Sequence, residues 1–214
     1  MAKGLTVLID VFRAFTTAAY VLHNGAERIL AVGDLEAAYK LKLDNPEYVL
    51  IGERGGFPLP NFDYCNSPSQ IADTDLSQKV IVMTTTSGTQ GIVNAVGADE
   101  LVLGNFVNAS CIAQYVTRKN PPLVTIVPLG DSPTEKNAED EECAQYLHSL
   151  IRGEKPDFSP VRERIMSAPS ARKFFENPKL PREDPEYCLA LDAFDFYMKV
   201  GKSHTYPEIR RYSL

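Results

Sequence analysis

Short apolar runs alternate with stretches of helical periodicity along the first two-thirds of the chain. The runs are rich in Val, Ile and Leu, and they lie at residues 6–10, 28–32, 48–51, 79–83, 101–103 and 123–127. Residues 14–23 and 35–43 carry apolar positions at helical spacing, and Asp34 is suited to cap the second helix because its carboxylate can accept from the first free amides. Continuous apolar strands separated by helices are typical of a sheet that is covered on both faces. The pattern therefore predicts a three-layer α/β/α fold with a mostly parallel sheet.

The amino-acid composition of the chain changes after residue 153. Prolines become frequent, and they stand at Pro156, Pro160, Pro169, Pro178, Pro181 and Pro185. Arg and Lys are also dense there, while long apolar runs are few. We expect a single domain over residues 1–214, in which residues 153–214 form helices and loops that wrap an α/β core at 1–152. Residues 186–196 are predicted to be helical, and the tail 199–214 carries no interpretable motif.

Composition narrows the class of protein. The net charge is −6 and the pI is near 5.2, which argues against a nucleic-acid binder because such a protein needs a basic face. The start of the chain does not read as a signal peptide, and no apolar stretch is long enough for a membrane span. The four cysteines stand far apart without a metal-binding or disulfide spacing. We expect reduced thiols, no zinc site and a cytoplasmic location.

Polar residues collect at the predicted strand ends, where α/β proteins place their sites. The first strand ends in Asp10, with Arg13 three residues on, and a later strand ends in Glu53 and Arg54 followed by two glycines. An acid beside an arginine can supply a metal ligand or base next to an anion clamp. Taken alone, the first pair also fits a helix cap with a solvated arginine, and the second fits a surface turn with an ion pair.

Two further strand ends carry hydroxyl and amide groups. The fourth strand opens into a loop of five hydroxyls and one glycine before a helix, namely Thr84, Thr85, Thr86, Ser87, Gly88 and Thr89. Amides and hydroxyls at a helix start suit a phosphate or carboxylate, although helix capping alone also uses such residues. The next strand ends near Asn105 and Asn108, of which Asn108 also fits a simple cap.

A run of four acids, 139–142, opens another predicted helix. Acids in a first turn favour the helix dipole, so a solvated cluster is one interpretation. Consecutive acids also repel one another, which a divalent cation would relieve, and hard oxygen ligands suit Mg²⁺.

Together these motifs resemble the 2-phosphosulfolactate phosphatase family, the ComB-like proteins of the coenzyme M pathway. The matching stretches are residues 10–17, 24–26, 52–56, 62–63, 66–68, 84–89, 104–109, 139–144 and 186–192. The resemblance implies an α/β/α fold and Mg²⁺-dependent hydrolysis of a phosphate ester on a small acidic molecule, with 2-phosphosulfolactate as the expected substrate. It also adds Asn66 and Ser67 to the predicted substrate site. Gln90 departs from the family pattern, since many relatives carry a basic residue there.

The resulting hypothesis places Mg²⁺ on Asp10, Glu139 and Asp140. Arg13, Glu53 and Arg54 complete the predicted catalytic group. The phosphate and the substrate are expected to contact Asn66, Ser67, Thr84, Thr85, Thr86, Ser87, Gly88, Thr89, Asn105 and Asn108. The expected partners are a small phosphorylated acid and a second copy in a homodimer.

Two alternatives stay open at this point. One is a small-anion-binding or sensing protein that keeps the pocket without turnover. The other is a haloacid-dehalogenase-like phosphatase with a different phosphorylated acid as substrate. That superfamily needs a second acid two residues after the strand-end Asp, and Phe12 stands there instead.

Overall fold

A computed structural model describes residues 2–130, 135–201 and 205–214, and it confirms the α/β fold class. The strands are β1 (Leu5–Ile9), β2 (Arg28–Ala31), β3 (Val49–Arg54), β4 (Phe57–Pro58), β5 (Tyr64–Cys65), β6 (Val80–Thr84), β7 (Glu100–Gly104), β8 (Val124–Pro128), β9 (Tyr197–Gly201) and β10 (Glu208–Tyr212). The helices are α1 (Ala14–His23), α2 (Leu35–Asp44), α3 (Pro68–Ile71), α4 (Gly88–Asn94), α5 (Ala109–Lys119), α6 (Ala138–Ile151), α7 (Phe158–Ser167), α8 (Pro169–Glu176) and α9 (Asp184–Cys188). No described helix is both long and apolar enough to cross a bilayer.

The strands and helices predicted for the first two-thirds of the chain are confirmed. Each of the six apolar runs forms a strand, and the two predicted helices form α1 and α2. Asp34 caps α2 as expected, because its carboxylate accepts from the amide of Ala37 at 2.8 Å.

The C-terminal tail lies in the middle of the sheet. The strand order is β4-β3-β6-β2-β10-β9-β7-β1-β8, with β5 also paired to β3. The antiparallel hairpin β9–β10 therefore joins two parallel groups, β3-β6-β2 and β7-β1-β8. The prediction of helices and loops for 153–214 thus holds for α7 to α9 and is wrong for the hairpin, and the helix predicted at 186–196 ends at Cys188.

Helix α1 is enclosed by the fold. Nine of its ten residues are buried, which is typical of a helix with apolar contacts on all sides. One continuous apolar cluster joins α1 to inward-facing residues of both parallel groups, among them Leu8, Leu103 and Ile81. The opposite face of the sheet packs against α5 to α7 near β1 and β7, and against α2 near β2 and β3. The result is the predicted three-layer arrangement.

The two parallel groups run in opposite directions, because three successive antiparallel pairings separate β2 from β7. In a flat sheet their carboxyl ends would lie at opposite edges. Sheets twist by about 20 to 25° per neighbouring pair, and the rotation accumulates across the many strands of this one. The segments that follow β1, β3, β6 and β8 reach a single cavity.

Candidate active site

The cavity at these strand ends has a volume of about 250 Å³. Its wall combines acidic, basic, amide and hydroxyl groups with one apolar side. The polar side chains at the wall are Asp10, Arg13, Glu53, Asn66, Thr86, Ser87, Asn137, Asp140 and Lys173, and the apolar ones are Phe12, Phe174 and Leu180. Seven of the predicted site residues meet here in addition to the glycines of the 55–56 turn.

Asp10 sits between the end of β1 and the start of α1. Its Oδ1 accepts from the amide of Ala14 at 2.9 Å, so the carboxylate caps the buried helix. Its Oδ2 faces the start of α4, because a Cβ placed on Gly88 would lie only 2.9 Å from it. The side chain is 6% exposed and lines the cavity. The capping and cavity-lining roles that the sequence left as alternatives therefore coexist in one residue.

Asp140 fastens three elements together. Its two oxygens accept from the amides of Val11 at 2.8 Å and Gly130 at 3.0 Å, which links α6 to the ends of β1 and β8. Burial and the neighbouring carboxylates of Asp10 and Glu139 hold the pKa of Asp140 well above its usual range, although the two amide donors act in the opposite direction. Three acidic groups are therefore crowded together here, and Asp140 resists taking up a further negative charge.

Glu139 lies outside the cavity lining. Its side chain is fully buried and accepts a hydrogen bond from the hydroxyl of Ser170 at the start of α8. Glu139 is not among the residues that line the cavity. Of the predicted metal ligands, the structure thus brings Asp10 and Asp140 to the cavity and places Glu139 behind it.

Arg13 is held from two sides. Its guanidinium donates to Asp184 Oδ2 at 2.8 Å and to the carbonyl of Gly56 at 2.9 Å, and it lies over the ring of Phe174. Asp184 Oδ1 accepts in turn from the hydroxyls of Ser67 and Ser69. This network fixes the orientation of a charged group that faces the cavity.

Glu53 organises the loops after β3 and β6. One oxygen accepts from the amide of Thr86 at 2.6 Å, and the other accepts from the Thr86 hydroxyl at 3.0 Å and from the amide of Gly56 at 2.6 Å. Both carboxylate oxygens are therefore occupied by the two loops. Gly56 has a φ of +87°, a backbone conformation that favours glycine, and this turn exposes its carbonyl to Arg13.

The hydroxyl loop, residues 84–89, has some side chains at the cavity wall and others buried behind it. Thr85 and Thr89 bond reciprocally, each hydroxyl accepting from the other's amide at about 3 Å, and both side chains are buried. Thr84 accepts from Arg54, which also donates to the carbonyl of Glu53. Only Thr86 and Ser87 of this loop line the cavity. Thr84, Thr85, Thr89 and Arg54 therefore shape the loop from behind, and Gly88 leaves room for Asp10.

Of the predicted asparagines, one lies at the cavity and two do not. Asn66 lines the cavity, and its buried Oδ1 accepts no hydrogen bond from a described residue. Ser67 turns to Asp184 instead. Asn105 donates to the carbonyl of Phe15, and Asn108 donates to that of Phe196, so both brace the end of β7 against neighbouring elements. Neither asparagine lines the cavity, and the structure does not bring them together with the other site residues.

The C-terminal segment supplies residues of the site, at the cavity wall or bonded to Arg13, that sequence reasoning missed. Lys173 and Phe174 come from α8, and Asp184 comes from α9. Asp184 looks like an ordinary acid before the proline of a helix start, and Lys173 is one of many basic residues there. No local pattern separates them from their neighbours. The partner of Asp184, Arg13, lies more than 150 residues earlier in the chain.

A magnesium ion fits the donor set at Asp10 and Asn66. Among the described residues, no group of three or more His, Cys, Asp or Glu side chains is placed to hold a metal ion. However, Mg²⁺ is commonly bound by one or two carboxylates together with water and substrate phosphate. The Asp10 carboxylate and the unbonded amide oxygen of Asn66 are hard oxygen donors at the cavity wall. The concentration of acids around Asp140 also favours a cation there.

Comparison with known proteins points to one family. Residues 1–202 match the family model described as 2-phosphosulpholactate phosphatase. A probable 2-phosphosulfolactate phosphatase of Bacillus subtilis (strain 168) is 35% identical, with 97% of this chain and 91% of the relative covered. Relatives with the same description in Carboxydothermus hydrogenoformans and Thermoplasma volcanium are 38% and 34% identical, covering 88% and 90% of this chain and 83% and 87% of theirs.

Proposed function

The chain belongs to the 2-phosphosulfolactate phosphatase family, and we propose that it is a Mg²⁺-dependent phosphoric monoester hydrolase that converts 2-phosphosulfolactate to sulfolactate and phosphate. The observation that carries the proposal is the pairing, in one small cavity, of the capped carboxylate Asp10 with the immobilised cation Arg13. Phosphoryl transfer needs positioning and charge stabilisation more than covalent chemistry from the protein. A fixed cation beside hard oxygen donors meets that need.

In this mechanism Asp10 and Asn66 would hold the metal ion, which would supply Lewis-acid activation of the phosphoryl group and of a water. Arg13 donates to phosphoryl oxygens as their charge develops, and its orientation is set beforehand by Asp184 and Gly56. Thr86 and Ser87 border the same space, and Glu53 keeps their loop in place. Asp140 keeps the ends of β1 and β8 together behind Asp10.

A phosphate-release assay over a panel of phosphorylated hydroxy acids tests this proposal. We expect turnover in Mg²⁺, its abolition by EDTA and its recovery when Mg²⁺ is added back. 2-Phosphosulfolactate should be the best substrate of the panel. Turnover that is unchanged by EDTA would remove the metal from the proposal, and a different best substrate would correct its specificity.

Asp10→Asn tests the assigned residue, and Asp34→Asn is its matched control. Both carboxylates accept from backbone amides at a helix start, and asparagine keeps that capacity. If Asp10 holds the metal ion, Asp10→Asn loses well over tenfold in rate, which is about 1.4 kcal/mol of activation free energy. Asp34→Asn should keep its rate. Equal, small effects of the two changes would reduce Asp10 to a helix cap.

The same experiments separate the two rivals. Binding of phosphorylated acids without release of phosphate, at all metal concentrations, would favour a small-anion-binding protein. A phosphoaspartate at Asp10, sought by mass spectrometry after acid quenching, would favour the haloacid-dehalogenase-like scheme. We also place the enzyme in the cytosol, which is supported by four cysteines that are all unpaired.

A further inference from the structure

The cavity has a second cation besides Arg13. Lys173 lies on α8 in the C-terminal segment, is half-buried and lines the cavity. Among the described residues at the cavity wall, Arg13 and Lys173 are the two basic ones. They come from different elements and differ in burial, which indicates different tasks.

Both cations lie close to the aromatic ring of Phe174. The Arg13 guanidinium lies 5.5 Å from the ring centroid of Phe174, and the Lys173 ammonium lies 5.8 Å from the same centroid. The separation of the two cations is therefore at most the sum of these distances. Phe174 is itself almost fully buried and packs edge-on against Phe12. The ring thus packs α8 against the loop that carries Phe12 and Arg13, and both cations border the same cavity.

The two cations differ in their chemistry and in how the chain holds them. Arg13 is held in a fixed orientation by Asp184 and lines the same cavity as Asp10, which suits it to the reacting phosphoryl group. Lysine is a compact charge on a flexible stem, which suits a non-planar or variable anion better than a fixed fork does.

We propose that Lys173 is a specificity-determining residue that binds a second anionic group of the substrate, a carboxylate or sulfonate, while Arg13 binds the phosphoryl group. This inference rests on the proposed phosphatase function and deepens it. It assigns recognition of the acid to α8, a part of the chain outside the strand-end motifs.

Kinetics on three phosphate esters test the assignment. 2-Phosphosulfolactate carries a carboxylate and a sulfonate, 2-phospholactate carries the carboxylate alone, and isopropyl phosphate carries neither. Lys173→Met is expected to raise KM about tenfold on the esters that carry the recognised anion, with kcat changed less than threefold, and to have a much smaller effect on isopropyl phosphate. A loss on both acidic esters identifies the carboxylate, and a loss on 2-phosphosulfolactate alone identifies the sulfonate. Lys173→Arg should recover most of the loss.

Lys179→Met is the matched control. Lys179 lies on the same segment and also sits over an aromatic ring, that of Phe57, but it does not line the cavity. It is expected to leave KM unchanged on all three esters. Equal losses for Lys173→Met on the three esters, or equal losses for the two lysine variants, would overturn the assignment.

Calorimetry separates this inference from the proposed function. Sulfolactate, which has no phosphate, should bind about tenfold more weakly to Lys173→Met than to the unchanged protein, while inorganic phosphate should bind equally well to both. If sulfolactate binding is weakened in this way but no ester is turned over, the phosphatase function is contradicted and Lys173 is still an anion-binding residue. Equal sulfolactate binding by the two proteins, or none by either, would count against Lys173.

Discussion

The guanidinium of Arg13 donates to the carboxylate of Asp184 at 2.8 Å, and both side chains are almost completely buried. The pair joins the loop after β1 to the start of α9. Asp184 also accepts from two serines that precede and open α3. One buried carboxylate therefore connects the catalytic loop, a short helix and the C-terminal segment.

Replacing Asp184 by Asn should affect stability and activity together. Arg13 would keep its buried charge without a counter-charge, and breaking a buried pair by removing one partner costs roughly 3–5 kcal/mol. We expect a fall of about 3 kcal/mol in the free energy of unfolding, measured by denaturant titration, and a loss of phosphatase activity. Glu186→Gln is the control on the same helix. Its exposed ion pair with Arg162 contributes no more than about 1 kcal/mol. Similar stability of both variants would contradict the role given to Asp184.

Gly88→Ala tests the close approach of α4 to the cavity. An added Cβ would lie 2.5 Å from the Cβ of Ala14 and 2.9 Å from Asp10 Oδ2, so α1 or Asp10 must move. Overpacking of this kind costs roughly 1–3 kcal/mol, and the displaced carboxylate should also lower the rate. In Gly91→Ala, on the same helix, the added methyl meets only the side chain of Leu129, which can rotate away. Unfolding curves and rates of the two variants should therefore differ clearly.

Alkaline pH should weaken the fold. Burial and, to a lesser extent, nearby acids raise the pKa of the Cys111 thiol to about 11, and burial with neighbouring Cys188 and Tyr187 raises that of Tyr20 to about 12. Between the unfolded and the folded pKa the native state binds more protons than the unfolded state, so stability falls as the pH rises. The loss should begin near pH 9 for Cys111 and near pH 10 for Tyr20.

Denaturant titrations from pH 8 to pH 11 measure this slope. Cys111→Ala should be less stable at pH 8, because a buried group is truncated, but its stability should decline less steeply above pH 9. A parallel decline in both proteins would show that Cys111 does not contribute to the pH dependence.

Removal of the C-terminal strand should abolish folding. Ile209 in β10 is fully buried and pairs with both Ile29 and Val200, so deletion of residues 205–214 removes one of the two neighbouring strands from both β2 and β9 and splits the sheet at its centre. We expect an unfolded or aggregated chain by circular dichroism and gel filtration. Deletion of residues 213–214 alone, which lie beyond β10, should leave a folded and active protein. A folded product of the longer deletion would show that the hairpin is dispensable.

The sequence alone determined the features that depend on neighbouring residues. Apolar runs and helical spacing located six strands and the helices α1 and α2, because side-chain burial repeats with the period of each element. It also placed Asp10, Arg13 and Glu53 at strand ends, and the ordered motifs carried the family resemblance. Dimerisation and the metal ion stay predictions.

The tertiary structure decided what depends on distant pairing. The sequence of β9 and β10 resembles a charged tail, and only pairing with β2 and β7 makes it the centre of the sheet. The same applies to Asp184, which pairs with Arg13, and to Lys173, which shares a cavity with residues of the first strand ends. Hydroxyl and amide residues can bind a ligand or brace a loop with the same atoms. Packing by distant residues decides the orientation of Thr85, Asn66 and Asn105. That packing cannot be predicted from the residues next to them in the sequence.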